Sequence, residues 1–300
     1  MQLIQLRNFI AVVECGSIRG AARQLGISQP AATKSLKALE ASLDAVLVQR
    51  SSRGIVLTPA GKAFVARARA VQNELRQAHE ELELLTGQRS ETVRIGVASV
   101  LGAWLMPPVL QRFRRDWPQT MVHIVEGTQE SLLPLLREGA LDCAVCLRAE
   151  PESTRGFTVR PLAKLRLCVV GRKGHPLRHA RSLEQLADAS WVISRPRGSG
   201  GVLERAFAAA GLRQPALATE CDSHAIRVAL VAGSETLSLL ARPMLSEPGT
   251  AAQLQEIPLD TPLPLMTFAL YGRGESKPGA AAQAMASCVG AQSGLILRSA

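Results

Sequence analysis

No stretch of this 300-residue chain reaches 18 consecutive apolar residues, about the length a helix needs to cross a bilayer. The N-terminus carries no apolar signal region. A cytoplasmic protein without a membrane partner is expected. Signatures of catalysis are missing too. There is no G-x-S-x-G elbow. The five histidines (79, 123, 175, 179, 224) lack metal-ligand spacing, except His175 and His179, and "GHPLRHA" reads as a loop around a structural His175-Pro176-Leu177 turn. The six cysteines (15, 143, 146, 168, 221, 288) lie mostly in apolar runs and read as small buried hydrophobes, not a disulfide framework. Cys143 and Cys146 form a C-x-x-C, but inside "LDCAVCL", a buried-strand pattern that turns positions three apart to opposite faces. A second ligand pair is missing. Neither an enzyme nor a resident cofactor is expected.

What is present is positive charge. Lys and Arg number 35 against 25 acids, a formal net charge of +10, which points to a polyanionic partner. Residues 1–60 hold seven of these cations (7, 19, 23, 34, 37, 50, 53) and three acids (14, 40, 44). An apolar fraction of 47% and a charged fraction of 20% fit a globular protein long enough for two or three domains.

Three zones follow one another. In residues 1–58, apolar positions 6, 9, 10 and 13 mark a helix stopped by Gly16. Ser17 caps a second helix that ends at Gly26, and Ser28 caps a third that runs to about Leu43. "AVLVQRSSRGIVLTPAG" reads as a hairpin with a basic tip. Residues 59–89 form one long helix, with Thr58 as cap and Pro59 in the first turn. Its apolar positions Phe64, Ala68, Val71, Leu75, Ala78, Leu82 and Leu85 alternate four and three apart, a seam for self-association. Phe64, Val71, Leu75, Leu82 and Leu85 are the candidate dimerisation residues.

From residue 90 to 300, strands and helices alternate, the mark of βαβ units and a mostly parallel sheet. "LRLCVVGRKGHPL" opens a second set. Residues 90–162 and 266–300 are assigned to one lobe and 163–265 to another.

The third helix shows what the first zone is for. At about 100° per residue, Ala32, Leu36, Leu39 and Leu43 fall on one side as a buried stripe. The opposite side carries Pro30, Lys34 and Ala41, flanked by Thr33 and Lys37 and by Ala31 and Ala38, with no acid among them. Small residues allow close approach, and the cations can reach phosphates or guanine edges. Pro30 loses nothing, because the first helical N–H groups have no internal partner. With Arg50 and Arg53 on the hairpin, this reads as a helix-turn-helix facing double-stranded DNA.

The motifs "F-x-x-V-x-E-x-G-S", "A-A-x-x-L-x-I-S-Q-P-A", "L-E-x-x-L" and "T-x-A-G", all within about the first 62 residues, resemble the DNA-binding domain of LysR-type transcriptional regulators. The resemblance implies an α/β multidomain protein: a winged helix-turn-helix, a long linker helix, and a two-lobed domain similar to type 2 periplasmic binding proteins. It implies a dimer or tetramer on an imperfect palindrome with a T-N11-A core, a small-molecule inducer, and RNA polymerase as a further partner. Ser28, Gln29, Pro30, Thr33 and Lys34 would face DNA, Arg53 the minor groove and Arg50 a phosphate. Lys37 joins them from the helical face. Inducers bind between the lobes in this family. The matching positions are Ser99, Thr128 and the turn bearing Arg197, Ser199 and Gly200, with Arg195, Cys146 and Leu147 nearby. Two positions depart from the pattern: Glu235 replaces a usual glycine and Ala241 a usual proline. The few polar anchors are basic, so a small organic anion is the expected effector. A ligand-independent DNA-binding protein and a solute-binding protein of the same C-terminal fold are the alternatives.

Overall fold

A computed structural model describes residues 1–51, 54–86, 91–194, 201–215, 218–274 and 278–296, leaving out the side chains of residues 50, 84, 85, 163, 218 and 294–296. Arg53, Arg195, Arg197, Ser199 and Gly200 therefore lie outside the described residues, as do the side chains of Arg50 and Leu85. The chain divides into two compact units, Met1–Glu91 with Pro134–Leu141, and Thr92–Leu133 with Asp142–Ala300.

Short-range chemistry sets the helix ends of the first unit. Helix α1 (Leu3–Cys15) stops where Gly16 takes the left-handed conformation, φ 60°. Ser17 Oγ accepts from Gly20 N and starts α2 (Ile18–Leu25), which ends at Gly26, φ 66°. Ser28 Oγ accepts from Ala31 N at the start of α3 (Gln29–Leu43). Strands β1 (Val48–Ser51) and β2 (Gly54–Leu57) form the antiparallel hairpin, and α4 (Pro59–Leu85) follows. Leu6, Phe9, Leu36, Leu39 and Leu47 make the centre of the core, which extends to Val65 and Ala68 of α4.

Two sequence motifs acquire a physical reason here. Glu40, of "L-E-x-x-L", accepts from Leu47 N at 2.8 Å and Val48 N at 3.3 Å, so its carboxylate holds the entry to β1. Thr58, of "T-x-A-G", donates to Val46 O at 2.7 Å and accepts from Gly61 N at 2.9 Å, tying the hairpin to the first turn of α4. The glycine of the same motif has no room for a side chain, since a Cβ on Gly61 would run into the Leu47 carbonyl oxygen.

The long helix corrects the seam read from spacing. Phe64 faces its own domain, with its ring 5.7 Å from that of Phe9, and Ala68 is buried beside it. Because α1 covers this end, the seam left open on α4 begins at Val71 and continues through Leu75 and Leu82, which are 43%, 48% and 61% exposed. Asn73 Nδ2 donates to Glu138 O, and Gln77 Nε2 to Gly139 O, which brings residues 134–141 into the first unit.

In the second unit, β3 (Thr92–Ala98) leads into α5 (Ser99–Asp116), and β4 (Met121–Gly127) into α6 (Gln129–Arg137). β5 (Cys143–Leu147) precedes β6 (Phe157–Arg172), followed by β7 (Trp191–Ile193), α7 (Val202–Ala209) and β8 (Ala218–Glu220). Then come α8 (His224–Ala232), β9 (Leu237–Ala241), α9 (Pro248–Gln253), β10 (Leu254–Ile257), β11 (Leu265–Arg273) and α10 (Ala280–Ile296). Strand order is β4-β3-β5-β11-β6-β9-β7-β8, with β10 also on β6. The β3–β4, β3–β5, β7–β8 and β7–β9 pairs are parallel, whereas β11–β5, β11–β6, β6–β9 and β10–β6 are antiparallel, so the sheet is mixed and not mostly parallel as the alternation suggested.

The sequence pattern placed the opening of the second lobe at "LRLCVVG", but the strand is already 16 residues long, starting at Phe157. Its first part pairs with β11 and its last part with β9 and β10, so β6 itself joins the lobes. Pro161, which has no N–H to give the ladder, is accommodated by a register shift opposite Phe268 and Ala269.

Replacing Gly61 with Ala is expected to destabilise the N-terminal unit by about 1–3 kcal/mol, seen as a lower urea midpoint by circular dichroism. An Ala at Gly102, where an added Cβ meets nothing within 4 Å, is expected to cause no loss.

Candidate nucleic-acid interface and ligand cavity

Helix α3 presents one face outward because Ala32, Leu36 and Leu39 are drawn into the core. On the outer side Gln29, Pro30, Thr33, Lys34, Lys37 and Ala38 border one shallow concavity. Ser28 is also exposed, though its hydroxyl is occupied as the helix cap. Thr33 Oγ1 donates to Gln29 O at 2.9 Å, which leaves its methyl for an apolar contact. The helix dipole and the two lysines make this face attractive to phosphate. Asn8 was not singled out from sequence, yet its Nδ2 donates to Ser35 Oγ at 2.9 Å and links α1 to α3.

The second unit contains a cavity of about 150 Å³. The ends of β3 and β4 supply Ala98 and Gly127, the first residue of α5 supplies Ser99, and the residue just ahead of α6 supplies Thr128. Both hydroxyls are unspent among the described residues. Helix α5 has no side-chain cap, and the capping group of α6 is Ser131 Oγ, which accepts from Thr128 N. At α7, Glu204 Oε2 accepts from Gly201 N.

Leu147 lines the cavity, whereas Cys146, its neighbour on β5, is fully buried and not part of the wall. Strand alternation accounts for the difference. The chain's single tyrosine holds this strand end: Tyr271 OH accepts from Ala149 N at 2.7 Å and donates to Leu147 O at 3.2 Å. Leu167, Val192, Leu239, Met266 and Phe268 make the remaining wall largely apolar. Arg227 of α8 is part of it and was missed from sequence. The available signal was a lone cation inside the apolar run "AIRVALVA".

The two departures noted at Glu235 and Ala241 fit the local backbone. Glu235 needs no left-handed conformation. Its carbonyl accepts from His175 Nε2 at 3.0 Å, while His175 Nδ1 accepts from Leu177 N, a pairing that specifies the tautomer. Ala241 ends β9 in register with Leu167.

Among the described residues no group of three or more His, Cys, Asp or Glu could hold a metal ion, and no helix is long and apolar enough to cross a membrane. Cys143, Cys146 and Cys168 have thiol pKa values pushed up to about 12, chiefly by burial. At pH 8 their thiolate fraction is on the order of 10⁻⁴. These three thiols are expected to stay unlabelled by a thiol-disulfide reagent in the native protein and to react promptly in denaturant, as read by absorbance and peptide mass.

Residues 3–62 match the family described as "Bacterial regulatory helix-turn-helix protein, lysR family", and residues 86–293 match "LysR substrate binding domain". The chain is 32% identical over 247 residues to the HTH-type transcriptional regulator GbpR of Azospirillum brasilense, covering 81% of this chain and 72% of that one. It is 28% identical over 290 residues to the HTH-type transcriptional regulator GalR of Pseudomonas putida, covering 96% and 73%. In structure it is similar to CbnR, a LysR family transcriptional regulator, with TM-score 0.68 and 20% identity over 98% of this chain and 99% of that one. The two family matches together span the helix-turn-helix and the α/β domain described above, and the chain belongs to the LysR family of DNA-binding transcriptional regulators with a C-terminal effector-binding domain.

Proposed function

We propose that the protein works in the cytoplasm as a homotetramer, a dimer of dimers, on an imperfect palindrome with a T-N11-A core. It changes transcription by RNA polymerase when a small organic anion enters the cavity of its second unit. The observation that carries this reading is the outer face of α3. Gln29, Pro30, Thr33, Lys34 and Lys37 surround one concavity, with small residues that admit a groove wall and cations that meet phosphate. The solved complex of CbnR with its target DNA, to which this chain is similar with TM-score 0.65, is the kind of assembly envisaged.

Two copies are needed to read two half-sites. The exposed run Val71, Leu75 and Leu82 on α4 supplies an apolar strip of heptad spacing for that pairing. The unspent hydroxyls of Ser99, at the start of α5, and of Thr128, just ahead of α6, favour a polar group on the effector.

In a footprinting assay, Lys34→Ala and Arg53→Ala are expected to weaken binding. Lys37→Ala is expected to lower the salt slope by about one unit if it meets a phosphate. Unchanged footprints in all three variants would remove α3 and the wing from the interface. Replacing both Leu75 and Leu82 with Lys is expected to give monomers in light scattering, and a surviving dimer would refute the α4 strip.

A further inference from the structure

Arg227 lies on α8 and is 1% exposed. A guanidinium has five N–H donors and no acceptor. Here Nη1 donates to the carbonyls of Cys221 at 3.1 Å and Asp222 at 3.2 Å, just ahead of the helix. Nη2 is shut off from solvent and has no hydrogen-bond partner among the described residues. Glu126 and Asp222, both exposed, act on this cation through space without forming an ion pair. Burial presses its pKa below the ordinary guanidinium value. A buried charge with an unused donor is costly unless a partner arrives in the working state of the protein.

The surroundings specify that partner. Arg227 forms part of the cavity wall, whose remaining surface is mostly apolar, with Ser99, Thr128, Gln129, Gln214 and Ser238 among its uncharged polar groups. Arg205 also borders the cavity but already has a partner of its own. His224 has its pKa lowered by burial and by Arg227, so it adds no second cation at neutral pH. Glu204 caps α7, which leaves the uncapped start of α5 with the Ser99 hydroxyl, together with the Thr128 hydroxyl, as further groups suited to an anion. An apolar cavity near 150 Å³ holds a body about the size of a benzene ring.

We infer that Arg227 is the anchor for the carboxylate of the effector, and that the effector is a small monocarboxylate with an apolar body. A dianion would find one unused guanidinium nitrogen where it needs two cationic partners. The inference rests on the reading of this cavity as the effector site.

Acid and amide pairs test it on the full chain: benzoate with benzamide, phenylacetate with phenylacetamide, and isovalerate with isovaleramide, by calorimetric titration and thermal unfolding. At least one acid is expected to bind about tenfold or more tighter than its amide. Arg227→Gln is expected to weaken that acid by about ten- to a hundredfold and leave the amide within about twofold. Arg227→Lys keeps the charge and loses the fork, so it should retain the acid preference with weaker binding. Should Arg227→Gln fail to fold by circular dichroism, an unchanged acid affinity in Arg227→Lys overturns the anchor. Amides that bind as well as acids, or no binding by any acid, overturn the ligand class. Ser99→Phe, which puts a ring into the cavity from its wall, should abolish binding of both members of a pair. Binding that survives it would instead overturn the cavity as the effector site.

Discussion

Burial of one stripe on α3 governs the nucleic-acid face. Ala32, Leu36 and Leu39 are drawn into the cluster around Phe9 and Leu47, and a helix cannot bury one side without committing the other. What remains outside is short, basic and free of acids. The neighbouring devices serve the same placement. Glu40 pins the start of the hairpin, and Thr58 joins that hairpin to α4. Removing a side chain at Gly61 lets the Leu47 carbonyl sit against the helix. Three recurring motif positions are thus explained by hydrogen bonding and close packing near the recognition helix.

The second unit depends on a different constraint. β6 carries its hydrogen bonds from β11 at one end to β9 and β10 at the other, so the two lobes share a strand. Strand ends and helix starts from both lobes then meet around one cavity. Its wall is apolar because the sheet strands contribute Leu147, Leu167, Val192 and Leu239, while polarity enters at helix starts and at Arg227. Tyr271 stabilises the end of β5 from the neighbouring strand. The buried thiols lie away from this chemistry, with burial holding them protonated.

Local order was legible throughout the first 60 residues. Gly16, Ser17, Gly26 and Ser28 act within one helical turn of themselves, so punctuation and structure coincide. The alternation of strands and helices after residue 90 was readable for the same reason, since a period of two or of 3.6 is a local property. The start of β6 was not, because Pro161 has no N–H for a ladder and is accommodated only by a register shift on β6 against β11. The short α9 and β10 carry too few residues for a period to show.

By itself, then, the amino-acid order determined the helix boundaries, the basic outer face of α3 and the heptad spacing of α4. Each of these follows from residues within a turn or two of one another. Only the tertiary structure decided which part of the α4 seam stays open, because α1 arrives from 55 residues away in sequence to cover Phe64. Only the tertiary structure brought Arg227 to the same cavity as Ser99 and Thr128. A cation in an apolar helix carries no local sign of what it faces, since its partner depends on strands and helices gathered from across the domain.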